Sequence, residues 1–330
     1  MLRLFKRVND HLEAVDTAQL DDPPLAIVPW FDLANPTAQE IALVQQRLGI
    51  VIPSREEMQE IEISARLYSE GGSEFMTMTA LARLDSDEPI ATPITFILCG
   101  TSVVTVRYEE PKPFVAFLQR AQKSGGVPCA NGEQVMLGLL EALIDRMADA
   151  LERVGGKLDS FSRDVFRHKD VNGRSTRTRD FQQIIEQIGR EGDLLGLVRE
   201  SLISITRLLT YHIAIEIEDK KASKEARVRV KILQRDVAAL SDHSSYLSGK
   251  INFMLDSTLG LINLEQNQII KIFSIAAVCL MPPTLVASIY GMNFKHIPEL
   301  DFEYGYPLAL IAMVVTAILP VIYFRRKGWL

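Results

Sequence analysis

The side chains best placed to do chemistry lie on one stripe near the carboxyl end. Asn267, Ser274, Met281 and Ser288 recur every seven residues, with Thr284 and Gly291 beside them. Seven residues are nearly two helical turns, so these groups share one helix face. An amide, hydroxyls and a thioether offer lone pairs without charge. Such a face can line a path for a hydrated ion, or it can ease helix packing while Met fills space. No Asp or Glu lies between Ile272 and Tyr290, which argues against a tight carboxylate cage in that stretch. The stripe runs into Tyr290-Gly291-Met292-Asn293-Phe294. Gly291 is expected to end the helix by adopting φ > 0, which would aim carbonyls and the Asn293 amide toward an axis.

Other constellations offer less. Glu141, Asp145, Asp149 and Glu152 form an acidic stripe on one helical face, ordinarily a solvated face balanced by neighbours such as Arg146 and Arg153. No Walker loop, strand-linked GxGxxG, GxSxG or HExxH is present, so neither an enzyme nor an ATP-driven pump is indicated. The five His residues are scattered, and Cys99, Cys129 and Cys279 lack zinc or disulfide spacing. A net charge of -6 and a pI near 5.5 argue against a nucleic-acid partner.

The stripe must be held by an element, and the sequence names it. Ile272–Tyr290 and Tyr306–Phe324 are each nineteen residues without a charge. About twenty apolar residues cross a hydrocarbon core of about 30 Å, so the lipid bilayer is a partner. The mean hydropathy of the whole chain is only +0.09, because the first 271 residues are of ordinary composition. Met1–Asp10 has no apolar h-region, so the amino-terminal part is expected in the cytoplasm. Two spans return the chain to the same side, and Arg325, Arg326 and Lys327 mark that side as cytoplasmic.

These features predict an α+β membrane protein. Residues 1–130 read as a cytoplasmic α/β domain with a mixed sheet. Strand patterns run over Leu25–Leu33, Ser64–Tyr68, Phe75–Leu84, Pro93–Leu98 and Ser102–Tyr108, with a hairpin about Gly71-Gly72. Thr37–Glu40 and Ser54–Glu57 are capping boxes, each opening a helix. Residues 131–271 form a helical domain and stalk: a helix from Gln134 into the 160s, a break near Asn172–Ser175, a helix over Thr178–Glu218, and a third from Lys221. No strong breaker interrupts the third between Ala222 and Pro282 except Gly249 and Gly260, so it continues into the first span (272–290). An outer loop (291–305), a second span (306–324) and a basic tail (325–330) follow. Sixty helical residues reach about 90 Å, too long to bury alone, so an oligomer is expected.

Placed between two spans, Tyr290-Gly291-Met292-Asn293-Phe294 strongly resembles the signature of the CorA family of divalent-cation channels. Met281-Pro282-Pro283-Thr284-Leu285, Pro298-Glu299-Leu300 and Gly328-Trp329-Leu330 also match that family's layout, as do Trp30–Leu33 and Asn263–Lys271. The resemblance implies a homopentamer in the bacterial inner membrane, its first spans lining a pore for Mg²⁺ and, secondarily, Co²⁺ and Ni²⁺. It implies Gly291, Met292 and Asn293 as the outer selectivity ring. Asn267, Ile270, Phe273, Ser274, Met281, Thr284 and Ser288 would line the pore. Mg²⁺ dehydrates reluctantly, so neutral amide oxygens touching its water shell suit it. Rings of Ile270, Phe273 and Met281 could block by dewetting.

Glu299 could concentrate cations at the mouth, and Arg325, Arg326 and Lys327 would form an inner basic collar. The family also implies closure by cytoplasmic Mg²⁺ bridging subunits, with Asp236, Asp242 and Asp256 as the candidate regulatory ligands here. Two rivals stand beside this reading. The sister zinc-transporting branch carries Ile where Met292 stands, and a membrane-anchored sensor would conduct nothing.

Overall fold

The computed structural model describes residues 1–15, 28–86, 88–167, 178–219, 224–293 and 302–329, in two compact units. The first holds Met1–Ser175 and Gln182–Met254; the second holds Thr176–Phe181 and Leu255–Leu330.

Among the described residues the sheet of the first unit has seven strands: β1 (Leu2–Val8), β2 (His11–Val15), β3 (Trp30–Ala34), β4 (Leu67–Glu70), β5 (Ser73–Ala82), β6 (Ile90–Cys99) and β7 (Ser102–Arg107). Their order is β2-β1-β3-β7-β6-β5-β4. Among the described strands only β3 and β7 run parallel, so the sheet is mixed as expected. The hairpin of β1 and β2 carries no strong alternation and was not anticipated; β1 is fixed by pairing Leu2–Phe5 against Trp30–Leu33. The strand expected over Leu25–Leu33 is seen from Trp30, its first residues lying outside those described.

Ser64–Tyr68 is not all strand. Ile63–Arg66 forms a helical turn, α3, and β4 starts only at Leu67. The Gly71-Gly72 turn sets Glu70 opposite Ser73, so Ser64 would have to pair with Thr79. That edge is already taken: Ser204 Oγ accepts from Thr79 N (2.9 Å) and Ser201 Oγ donates to Thr79 O (2.8 Å). Both serines lie on α6 (Thr178–Asp219), which ends the ladder there.

Both capping boxes form. In α1 (Ala38–Leu48) the Thr37 hydroxyl accepts from Glu40 N, and Glu40 accepts from Thr37 N (2.8 Å) and from Leu2 N (2.7 Å), tying the helix to β1. Gly49 ends it at φ 65°, a left-handed cap that glycine adopts without a Cβ clash. Ser54 and Glu57 repeat the box at α2 (Arg55–Gln59). Val44 and Met58 seal one sheet face with Leu4, Phe31, Leu33, Ile97 and Val104.

α4 (Lys112–Ala121), a helix that the strand patterning did not reveal, follows β7 with Phe114 and Phe117 buried. Their rings reach Trp30, whose indole stacks on Phe5 at 4.6 Å between centroids. α5 (Gly132–Arg167) abuts β7 so closely that a Cβ on Gly132 would lie 2.2 Å from the Ser102 backbone. The break expected near Asn172–Ser175 lies outside the described residues.

α7 runs from Lys224 to Tyr290 without interruption, 67 residues, Pro282 and Pro283 included. Within the first unit it buries Ala226, Val230, Leu233, Val237, Ser244, Leu247, Ile251 and Met254. Apart from one seven-residue step from Val237 to Ser244, these positions follow the alternating three- and four-residue steps of a packed helical seam. Glu141 with Arg229 (2.7 Å) and Asp159 with Lys250 (2.6 Å) flank it. The second unit holds the remainder of α7 and α8 (Gly305–Arg326).

Candidate functional site

Two described helices are long and apolar enough to cross a membrane: α7, at its carboxyl end, and α8. Their apolar windows are almost wholly uncovered, 11% and 6% buried. In water so much exposed Leu, Ile and Val would be untenable, so lipid or further copies must cover it.

The anticipated stripe is present on α7. Asn267, Ile270, Phe273, Ser274, Met281, Thr284 and Ser288 are all helical and all exposed on the single chain. Ile270, Phe273 and Met281 are 62%, 72% and 67% exposed. Ser288 Oγ donates to Thr284 O (2.7 Å), and Thr284 Oγ1 lies 3.0 Å from Leu280 O and 2.8 Å from Met281 O. The hydroxyl hydrogens are spent on the helix, which leaves their oxygen lone pairs turned outward as neutral acceptors. Pro282 and Pro283 have no N–H to give the preceding turn, and these hydroxyls bond to carbonyls of the same region.

The end of α7 differs from the expectation in one respect. Gly291 is not among the residues with positive φ. Its N–H bonds to Ala287 O (3.0 Å) and that of Met292 to Ile289 O (3.3 Å). The last carbonyls are satisfied by tightening the final turn, so no left-handed residue is required. A Cβ at Gly291 would lie 3.1 Å from Ala287 O, a tight fit. Met292 and Asn293 follow, exposed and outside the helix. Glu299 lies outside the described residues.

Arg325 and Arg326 form the last turn of α8, where cations suit the helix C-terminus, and Lys327 caps it. Lys327 Nζ lies 5.5 Å from the Tyr323 ring centroid.

The acids nominated for regulation do not converge. Asp236 is half-buried and Asp242 and Asp256 are exposed on α7, and among the described residues no three His, Cys, Asp or Glu side chains could hold one metal ion. Asp236 does lie close enough to the acidic stripe to act on it. The Asp145 carboxyl is pushed up by burial first, then by Glu141, with Asp149 and Asp236 adding to the effect. Glu141 is held by Arg229, as a structural stripe would be.

Two polar constellations escaped the sequence reading. His212, one of the five scattered histidines, is buried with Nδ1 2.9 Å from Glu74 Oε2 and Nε2 3.5 Å from Glu133 Oε1. Arg107 and Asp32 are likewise buried and paired. Charged residues at inward strand positions (Asp32 on β3, Arg107 on β7) were the available signal; for His212 there was none.

The comparisons extend the geometry. The family model described as "CorA-like Mg2+ transporter protein" matches residues 26–326. The chain is 33% identical over 331 residues to the magnesium transport protein CorA of Haemophilus influenzae (strain ATCC 51907), covering 100% of both. It is 31% identical over 330 residues to that of Escherichia coli (strain K12), again covering 100% of both. The complete structure of the CorA magnesium transporter from Methanocaldococcus jannaschii superposes with a TM-score of 0.74 at 19% identity, over 100% of this chain and 99% of that one. Sheet domain, long helix and two apolar helices are thus shared across the whole length, and the chain belongs to the CorA-like Mg²⁺ transporter family.

Proposed function

We propose that this chain is one subunit of a homopentameric channel for Mg²⁺, which also admits Co²⁺ and Ni²⁺. It sits in a bacterial inner membrane with both termini in the cytoplasm. The observation that carries the reading is the uncharged, exposed stripe of α7 ending in Gly291-Met292-Asn293, between two helices fit to span a bilayer. Five copies would bring five Asn293 amides to one ring. Their oxygens hold the water shell of the ion without stripping it. Asn267, Ser274, Thr284 and Ser288 continue that neutral lining, while Ile270, Phe273 and Met281 supply constrictions that close by dewetting. Residues 272–290 and 306–324 are the membrane segments of this reading, joined by an outer loop at 291–305 in which Glu299 attracts cations. Residues 1–271 are its cytoplasmic domain and stalk.

Influx is passive. An inside-negative potential of about 100 mV drives a divalent ion inward by about 4.6 kcal/mol, twice the value per elementary charge. Cytoplasmic Mg²⁺ closes the pore by bridging acids of neighbouring subunits; Asp236, Asp242 and Asp256 are the candidates.

Uptake into proteoliposomes with an interior-negative potential tests the reading, with Asn293→Ala in parallel and Zn²⁺ assayed under a proton gradient. Mg²⁺ entry that is lost in Asn293→Ala is expected. Entry of Zn²⁺ alone would move the protein to the zinc branch. If a well-formed oligomer passes neither ion, the chain is a sensor and not a channel.

A further inference from the structure

Between Glu265 and Tyr290, α7 carries a single charge, Lys271. It follows Ile270 directly and lies about 100° around the helix from the centre of the stripe, at 3.6 residues per turn. An ammonium on a flexible four-carbon stem can swing across such an angle. Repeated around a pore, it would set positive charge beside the path of a divalent cation, where close-range repulsion is strong.

The end of α8 is built to prevent this. Gly328 takes φ 69°, its N–H bonds to Arg325 O (3.2 Å), and Trp329 N–H bonds to Phe324 O (3.0 Å). These are the paired bonds of a Schellman cap, which folds the residue after the glycine back onto the last turn. Trp329 is that residue, and its ring stacks on Phe324 at 5.4 Å and 23°. Its face then receives Lys271 Nζ at 5.3 Å from the ring centroid. An indole is the best aromatic receptor for an ammonium, and it sits well at a membrane–water boundary.

We propose that Trp329 is a positioning residue: delivered by the Gly328 cap, it pins the Lys271 ammonium against α8 and off the conduction path. The proposal rests on the channel reading above, and its test separates the two. In proteoliposomes, Trp329→Ala should slow Mg²⁺ entry about two- to tenfold. Adding Lys271→Gln should bring the rate back to that of Lys271→Gln alone, because the freed charge is then gone. Trp329→Phe, which keeps a cation-binding face, should retain most of the rate. A loss in Trp329→Ala that persists in the double variant would reduce Trp329 to packing and overturn the proposal, as would no loss at all.

A second readout needs no transport. Modification of Lys271 by an amine-reactive reagent, followed by mass spectrometry of the detergent-purified full chain, should quicken about two- to fivefold in Trp329→Ala, the factor matching a solvent-accessible cation–π contact. Equal reactivity in both proteins would overturn the pin even if wild type conducts. A wild type that passes no Mg²⁺ would overturn the channel reading, and the labelling would still decide whether Lys271 is held.

Discussion

Arg107 and Asp32 meet as a bidentate pair inside the sheet: Nε to Oδ1 is 3.0 Å and Nη2 to Oδ2 is 2.8 Å. The two side chains are 1% and 2% exposed and join the parallel strands β3 and β7. Thr105 donates to the same carboxylate (2.9 Å) and accepts from the Trp30 indole (2.9 Å), so the network reaches the aromatic cluster beneath α4. Removing one partner strands a buried charge. Arg107→Met is expected to destabilise the sheet by about 3–5 kcal/mol, and Asp32→Leu with Arg107→Met by much less. Denaturant unfolding followed by Trp30 fluorescence in a Trp329→Phe background would measure both.

Asp85 gathers three cations: Lys112 (2.6 Å), Arg146 (2.5 Å) and Arg153 (3.3 Å). The hydrogen bond from Lys112 outweighs the desolvation that opposes it, and Arg146 adds to the lowering, so its pKa falls from 3.8 to about 2. A depressed folded-state pKa gives stability that is present above the unfolded value and lost as pH falls through the folded one. Asp85→Asn should therefore flatten the decline of stability between about pH 4 and 2, and cost most at neutral pH. Because Asp85 is over a third exposed, the effect is small. Identical melting curves for the two proteins across that range would count against it.

The two capping boxes are local and should act independently. Thr37→Ala and Ser54→Ala are each expected to cost about 1 kcal/mol. The double variant should cost the sum to within about 0.5 kcal/mol. Glu40→Gln tests more than the cap, since Glu40 also receives Leu2 N. A loss larger than that of Thr37→Ala is expected in the same unfolding assay.

If Ile270, Phe273 and Met281 hold the pore shut by excluding water, polar replacements should wet it. Phe273→Ser is expected to raise Mg²⁺ entry at cytoplasmic Mg²⁺ levels that silence the wild type. Asp236→Asn should shift the closing concentration upward if Asp236 bridges subunits, without changing the maximal rate. Stopped-flow uptake at graded interior Mg²⁺ reads both effects separately.

What the residues determined by themselves was whatever is local in sequence. Capping boxes at Thr37 and Ser54 span four residues each, so their geometry follows from the types present. The two charge-free runs predicted the apolar helices, because span length depends only on rise per residue and bilayer thickness. The continuity of α7 as far as Pro282 followed from the lack of strong breakers before it, and the Tyr290–Phe294 signature, lying between the runs, pointed to the family.

Tertiary structure decided what depends on partners far along the chain. Asp32 meets Arg107 across 75 positions, and His212 meets Glu74 across 138. β4 stops at Leu67 because α6 occupies the edge at Thr79, a competition invisible in either segment alone. Gly291 was expected to turn left-handed, but Met292 could satisfy the last turn instead. The Gly328 cap could be sought in sequence, whereas only the approach of α8 to α7 put Lys271 on the Trp329 ring. Hydrophobic period and capping chemistry are written residue by residue, but a charge finds its partner only after the chain has packed.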